Sequence, residues 1–144
     1  MPAMPDKKST PSAAGGLTLL GRSEAAFPKS PSSDILEAFP NRTPERPYRI
    51  TFDCPEFTSL CPVTGQADFA RVTITYIPQA RCVESKSLKF YLASYRSTRA
   101  FGEDVANRIL EDLIKALDPL EMTVRIEFSP RGGLRLQVEA SYPG

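Results

Sequence analysis

Between Tyr48 and Ala140 the hydrophobic period of this chain runs two, then 3.6, then two again. That order constrains the fold more than any other feature. Tyr48-Arg49-Ile50-Thr51-Phe52 alternates, and Phe69 to Ile77 alternates in β-branched residues up to Pro78, so both read as strands. Between them, Cys54-Pro55 to Gly65 is rich in turn formers and reads as a loop. Leu88, Tyr91, Leu92 and Tyr95 then fall at i, i+3, i+4 and i+7, the stripe of an amphipathic helix. Val105, Ile109, Leu113 and Leu117 mark a second helix from about Gly102, stopped by Asp118-Pro119. Two more alternating segments, Met122–Phe128 and Leu134–Ala140, flank the hairpin-type connection Pro130-Arg131-Gly132-Gly133. The order β-β-α-α-β-β predicts an α+β domain with an antiparallel sheet. Such a thin layer has two open sheet edges and a modest core, and other copies of the chain are its natural cover. A homo-oligomer is therefore expected.

The composition changes near residue 47: eight of the 14 prolines lie in residues 1–47. Three parts are expected: a disordered tail over residues 1–16, a docking arm over 17–45 and a catalytic domain over 46–144. The tail has almost nothing to bury against the entropy of ordering it. The arm carries two apolar islands, Leu17-Thr18-Leu19-Leu20 and Ile35-Leu36-Glu37-Ala38-Phe39. Over residues 1–45 the charges cancel, five basic against five acidic, so the arm is not a polybasic anchor.

Charge and residue usage exclude several functions. Lys plus Arg is 18 and Asp plus Glu is 17, a net charge of +1 that gives no electrostatic reason for a nucleic-acid or membrane partner. Histidine is absent, which removes the commonest general base and metal ligand. The three cysteines, Cys54, Cys61 and Cys82, are too few and oddly numbered for a disulfide scaffold. Without an export signal, free thiols in the cytoplasm are expected. Six residues separate Cys54 from Cys61, which is not zinc-site spacing. No Rossmann fingerprint or P-loop occurs, so any nucleotide is held some other way.

A few residues remain that can carry chemistry. Cys61, in Phe57-Thr58-Ser59-Leu60-Cys61-Pro62-Val63-Thr64-Gly65-Gln66, is either a small packed hydrophobe or a loop nucleophile. Asp68, beyond the Gly65 turn, is either a solvated strand-start aspartate or a proton carrier folded back towards the thiol. Glu84-Ser85-Lys86-Ser87-Leu88-Lys89-Phe90-Tyr91 opens the first helix. Its Lys86 and Lys89 lie off the apolar stripe, as a solvated basic face or as a phosphate site near the helix start. Glu103, in the first turn of the second helix, either answers the helix dipole or accepts two parallel N–H bonds from a guanine-like edge.

In this order and at these spacings, the Phe57–Gln66 segment with Asp68-Phe69, the Glu84–Tyr91 segment and Ser129-Pro130-Arg131-Gly132-Gly133 resemble the QueF-type nitrile reductases of queuosine biosynthesis. The resemblance spans about Leu17 to Tyr142. It implies the tunnelling fold (T-fold), whose β-β-α-α-β-β subunits assemble into rings, here a decamer of two pentamers. It also implies reduction of the nitrile of 7-cyano-7-deazaguanine to an aminomethyl group by two NADPH, without metal and with no direct nucleic-acid or membrane partner. By resemblance, Cys61 is the nucleophile that forms a covalent thioimide, and Asp68 is the proton donor. Glu103, with Glu84 and Ser85, binds the base, while Ser85, Lys86, Ser87 and Lys89 belong to the NADPH motif. One departure stands out: the family usually carries Phe-His-Glu-Asp where this chain has Phe101-Gly102-Glu103-Asp104. Restoring the imidazole with Gly102→His is expected to speed turnover. The competing readings are a degenerate deazapurine-binding relative with weak or no reductase activity, and a related amidinotransferase. The latter should lack the Glu84–Tyr91 motif.

Overall fold

The computed structural model describes residues 16–18 and 28–144. The tail before residue 16 and the island residues Leu19 and Leu20 lie outside these. The strands are β1 (Ala38–Pro40), β2 (Ile50–Leu60), β3 (Ala67–Ile77), β4 (Arg81–Val83), β5 (Glu121–Phe128) and β6 (Gln137–Tyr142). The helices are α1 (Ser85–Ala93) and α2 (Gly102–Leu117), with short 3-10 turns at Ser33–Ile35 and Ser94–Ser97. The main sheet is antiparallel in the order β2-β3-β5-β6, and both helices fall between its second and third strands in sequence. This is the expected α+β arrangement.

Alternation decides which face each strand buries. Phe57, Val72, Ile74, Tyr76, Met122, Val124 and Ile126 are buried and form one core with the helix stripes. The expected stripes, Leu88/Tyr91/Leu92/Tyr95 and Val105/Ile109/Leu113/Leu117, are all buried. The first outruns its α-helix, since Tyr95 sits in the following 3-10 turn. At the end of α2 the backbone turns left-handed at Asp118 (φ 47°), whose N–H donates to Ile114 O before Pro119. The opposite face of the sheet carries polar ladders such as Arg71 on Asp53 and Thr51 beside Thr75.

Three features depart from the sequence reading. The last strand, expected over Leu134–Ala140, is β6 at Gln137–Tyr142, with Leu134 and Leu136 exposed ahead of it. The segment expected as a loop from Cys54 is largely strand: β2 continues to Leu60, with a register shift between Cys54 and Phe57. Pro55 cannot donate to a ladder, and β2 tolerates it because it is an edge strand with a bulge there. The true loop is only 61–66. A second sheet also forms, in which β1 pairs with β4 through Phe39 and Cys82. Together with the bond from Glu84 N to Glu37 O, it fastens the segment before β2 onto the start of α1.

Candidate active site

A cavity of about 530 Å³ opens where four parts of the chain converge, and Cys61, Asp68, Glu103 and Arg131 all line it. Backbone hydrogen bonds cause the convergence. Leu60 N donates to Thr98 O and Ala100 N to Leu60 O, which ties the end of β2 to the approach of α2 and so brings Cys61 near Glu103. Ser129 N donates to Phe69 O, which ties the end of β5 to the start of β3. Beyond it, Arg131 and Leu134 exchange both backbone bonds around Gly132 and Gly133, whose φ values of 58° and 78° suit the tight turn of a hairpin. Arg131 is thereby presented at the hairpin tip. Its guanidinium donates to the Asp68 carboxylate and, at 2.7 Å, to Gln66 Oε1, bridging the hairpin to the nucleophile loop.

Cys61 is half-buried at the head of that loop. Its N–H donates to Gln66 O at 2.8 Å, and Gly65 N donates back to Cys61 O at 2.9 Å. Gly65 is left-handed (φ +73°), which strains any larger residue there, and a Cβ would also have to displace the Arg99 guanidinium. The loop turns the Thr64 amide onto Cys61 Sγ at 3.5 Å. Hydrogen bonds from Thr64 and then from Val63 hold the thiol pKa below its ordinary value, against the opposing pull of burial and of the Asp68 charge. By contrast, burial pushes the Cys54 thiol up. Of the three cysteines, only Cys61 lies on this cavity.

Glu103 is exposed in the first turn of α2, at the cavity wall. Phe69 and Phe101, both more than half exposed, add an apolar collar with Leu134. The arrangement can attack an electrophilic carbon, carry a proton beside it and hold a flat ligand with a polar edge.

The Glu84–Tyr91 segment lies elsewhere. Ser85 and Lys89, with Arg96, line a separate cavity of about 420 Å³ between α1 and the bulged part of β2. The sequence offers the start of α1 either as a solvated basic face or as a phosphate site, and in the structure its first amides are engaged. The Glu84 carboxylate already accepts from Lys86 N at 2.7 Å and Ser87 N at 2.8 Å, placing a negative charge where a phosphate would sit. Ser87 is fully buried, its hydroxyl donating to Glu84 O and accepting from Glu37 N. Within one chain, Glu84 is thus part of the frame, and it does not line the Cys61 cavity. Lys86 lies 6.0 Å from the Phe90 ring centroid. Sequence reasoning passed over Arg131 as a site residue and Arg96 as a second cation at the α1 cavity. The Pro-Arg-Gly-Gly turn was the available signal for Arg131.

Residues 67–144 match the model of the family described as QueF-like protein. An NADPH-dependent 7-cyano-7-deazaguanine reductase of Neisseria gonorrhoeae is 50% identical over 127 residues, covering 88% of this chain and 81% of that protein. The protein of the same name from Bacteroides fragilis is 49% identical over 126 residues, covering 88% and 83%. Among solved structures, the apo crystal structure of the archaeosine synthase QueF-Like matches with a TM-score of 0.60 and 26% identity, over 68% of this chain and 94% of that one.

Proposed function

The chain belongs to the QueF-like protein family, and from that premise we propose that it is an NADPH-dependent oxidoreductase reducing the nitrile of 7-cyano-7-deazaguanine to 7-aminomethyl-7-deazaguanine, a step of queuosine biosynthesis. The observation that carries the reading is the convergence of Cys61, Asp68 and Glu103 on one cavity, in a chain half identical to reductases of that name.

A nitrile is a poor hydride acceptor, and covalent catalysis removes the difficulty. Cys61 Sγ bonds to the nitrile carbon as one C–N π bond opens, giving a thioimide. The proton lost by the thiol passes through Asp68, which the Arg131 clamp holds beside the Cys61 loop, to the nitrile nitrogen. No free anion then accumulates on nitrogen. The Cys61–carbon bond breaks after the first reduction, leaving an imine and returning the thiolate that the Thr64 hydrogen bonds favour. Glu103 accepts the paired N–H groups at the base's guanine-like edge. Two NADPH supply the two hydrides when bound.

The residues for NADPH fit in part: Ser85, Lys89 and Arg96 offer a hydroxyl and two cations around one cavity. Lys86 stands beside them on the first turn of α1, and Ser87 keeps that turn in place. No helix among the described residues is long and apolar enough to cross a membrane, and the same reading places the enzyme in the cytoplasm, with residues 46–144 as its catalytic domain. The exposed collar of Phe69, Phe101 and Leu134 and the open edges β2 and β6 suit burial against other copies. This supports a homo-oligomer, for which the family resemblance implies a ring-based decamer of two pentamers.

The alternative of an amidinotransferase or a degenerate relative is not favoured, because the relatives at half identity bear the reductase name while the archaeosine synthase shares 26%. Incubating the protein with 7-cyano-7-deazaguanine alone should add the whole ligand mass to the peptide holding Cys61. Cys61→Ala should abolish the adduct, and Cys54→Ala and Cys82→Ala should keep it. Added NADPH should be consumed at two equivalents per nitrile, followed at the nicotinamide absorbance band. An adduct without NADPH consumption would instead identify the degenerate binder.

A further inference from the structure

Gly102 differs from the turn glycines in that its backbone does not need glycine: it opens α2 in a helical conformation. What is unusual is the space beside it. A Cβ built there would lie 2.5 Å from Cε2 and 2.9 Å from Cζ of Phe128, and 3.3 Å from Cδ2 of Leu136. Carbon atoms in contact sit at roughly 3.5–4.0 Å, so the ring as placed and any side chain at 102 exclude each other. Phe128 ends β5, with one side packed on the hydrophobic core and another on the Cys61 cavity, which Gly102 and Leu136 also line. A side chain at 102 therefore drives the ring towards the cavity, because the core side is filled.

We propose that the Phe128 ring, seated in the space left free at Gly102, is the apolar wall against which the flat base of the substrate lies, so that Gly102 and Phe128 act as one specificity-determining unit. This rests on the reading that the cavity receives a deazaguanine nitrile. The chemistry divides cleanly between neighbours: Glu103, one residue on from Gly102, meets the polar edge, while Phe128 covers a face that has no hydrogen-bonding groups. A histidine at 102 carries the same Cβ, so Gly102→His speeds turnover only where residue 128 yields the room, which revises the expectation drawn from the sequence.

A double-mutant cycle on the full chain tests the pairing, with adduct formation at Cys61 without NADPH and the KM for nitrile and NADPH as readouts. Gly102→Ala adds only the Cβ and should slow adduct formation about tenfold. Phe128→Leu should raise the KM for the nitrile about tenfold, through lost stacking, and leave the KM for NADPH unchanged. In the Phe128→Leu background, which lacks Cε2 and Cζ, adding Gly102→Ala should cost nothing further. An equal loss from Gly102→Ala in both backgrounds, or no loss in either, overturns the proposal. Should Gly102→Ala alone fail to fold, a folded double variant supports the pairing and an unfolded one overturns it. Wild-type protein that forms no adduct refutes the nitrile reading itself, whereas a wild-type adduct with an additive cycle refutes only the pairing.

Discussion

The two helices begin in opposite ways. At α1 the carboxylate of Glu84, only 4% exposed, turns back onto the amides of Lys86 and Ser87, so the chain itself supplies the anion that a helix start attracts. At α2 the preceding residue is Phe101, which caps nothing with its side chain, and the first turn lines the Cys61 cavity with Gly102 and Glu103. The same preference for negative charge is closed off as frame at one helix and left accessible at the other. An acidic residue at a helix start thus says little about function until its partners are known.

The contrast makes Glu103 and Glu84 fail differently. Glu103→Gln should lower kcat/KM for the nitrile by about 10–100-fold, because a hydrogen bond to a charged acceptor is worth roughly 1.5–3 kcal/mol, with the melting temperature unchanged. Glu84→Ala should remove the cap, cost about 1–2 kcal/mol and lower the melting temperature by several degrees. Calorimetry and steady-state kinetics on both variants decide the matter; a kinetic defect without destabilisation in Glu84→Ala would erase the distinction between closed and open helix starts. Smaller again is the effect at the basic face of α1. Lys89→Ala should raise the KM for NADPH several-fold while the rate of adduct formation without NADPH stays put, and a slowed adduct would move Lys89 to the other cavity.

The least change is expected at Thr64. Its hydrogen bonds keep the Cys61 thiol below its usual pKa, so alkylation of Cys61 by iodoacetamide should rise with pH at lower values than for a free thiol. Thr64→Val removes the side-chain hydrogen bond, the largest cause, and should displace the profile to higher pH while the backbone donors retain part of the effect. An unmoved profile would assign the lowering to the backbone alone.

The strands, the helices and their order were legible in the sequence because hydrophobic period is a local property, and both helical stripes read from spacing are buried. Cys61, Asp68 and Glu103 were also named from the chain, and they line one cavity. The β2 bulge was not legible, since Pro55 marks a turn or an edge strand equally well until the strand order is known. Nor was the capture of Ser87 as frame, which needs Glu37 to arrive from 50 residues before it. Arg131 over Asp68, across 63 residues, and the Phe128 ring in the space beside Gly102 are likewise products of the β3–β5 register and the tight Gly132-Gly133 turn. Which residues face inward follows from the repeat of the chain itself, and the sequence determined that much alone. Which distant side chains then meet depends on strand register and close packing, where a shift of one residue reverses every face, and only the tertiary structure decided it.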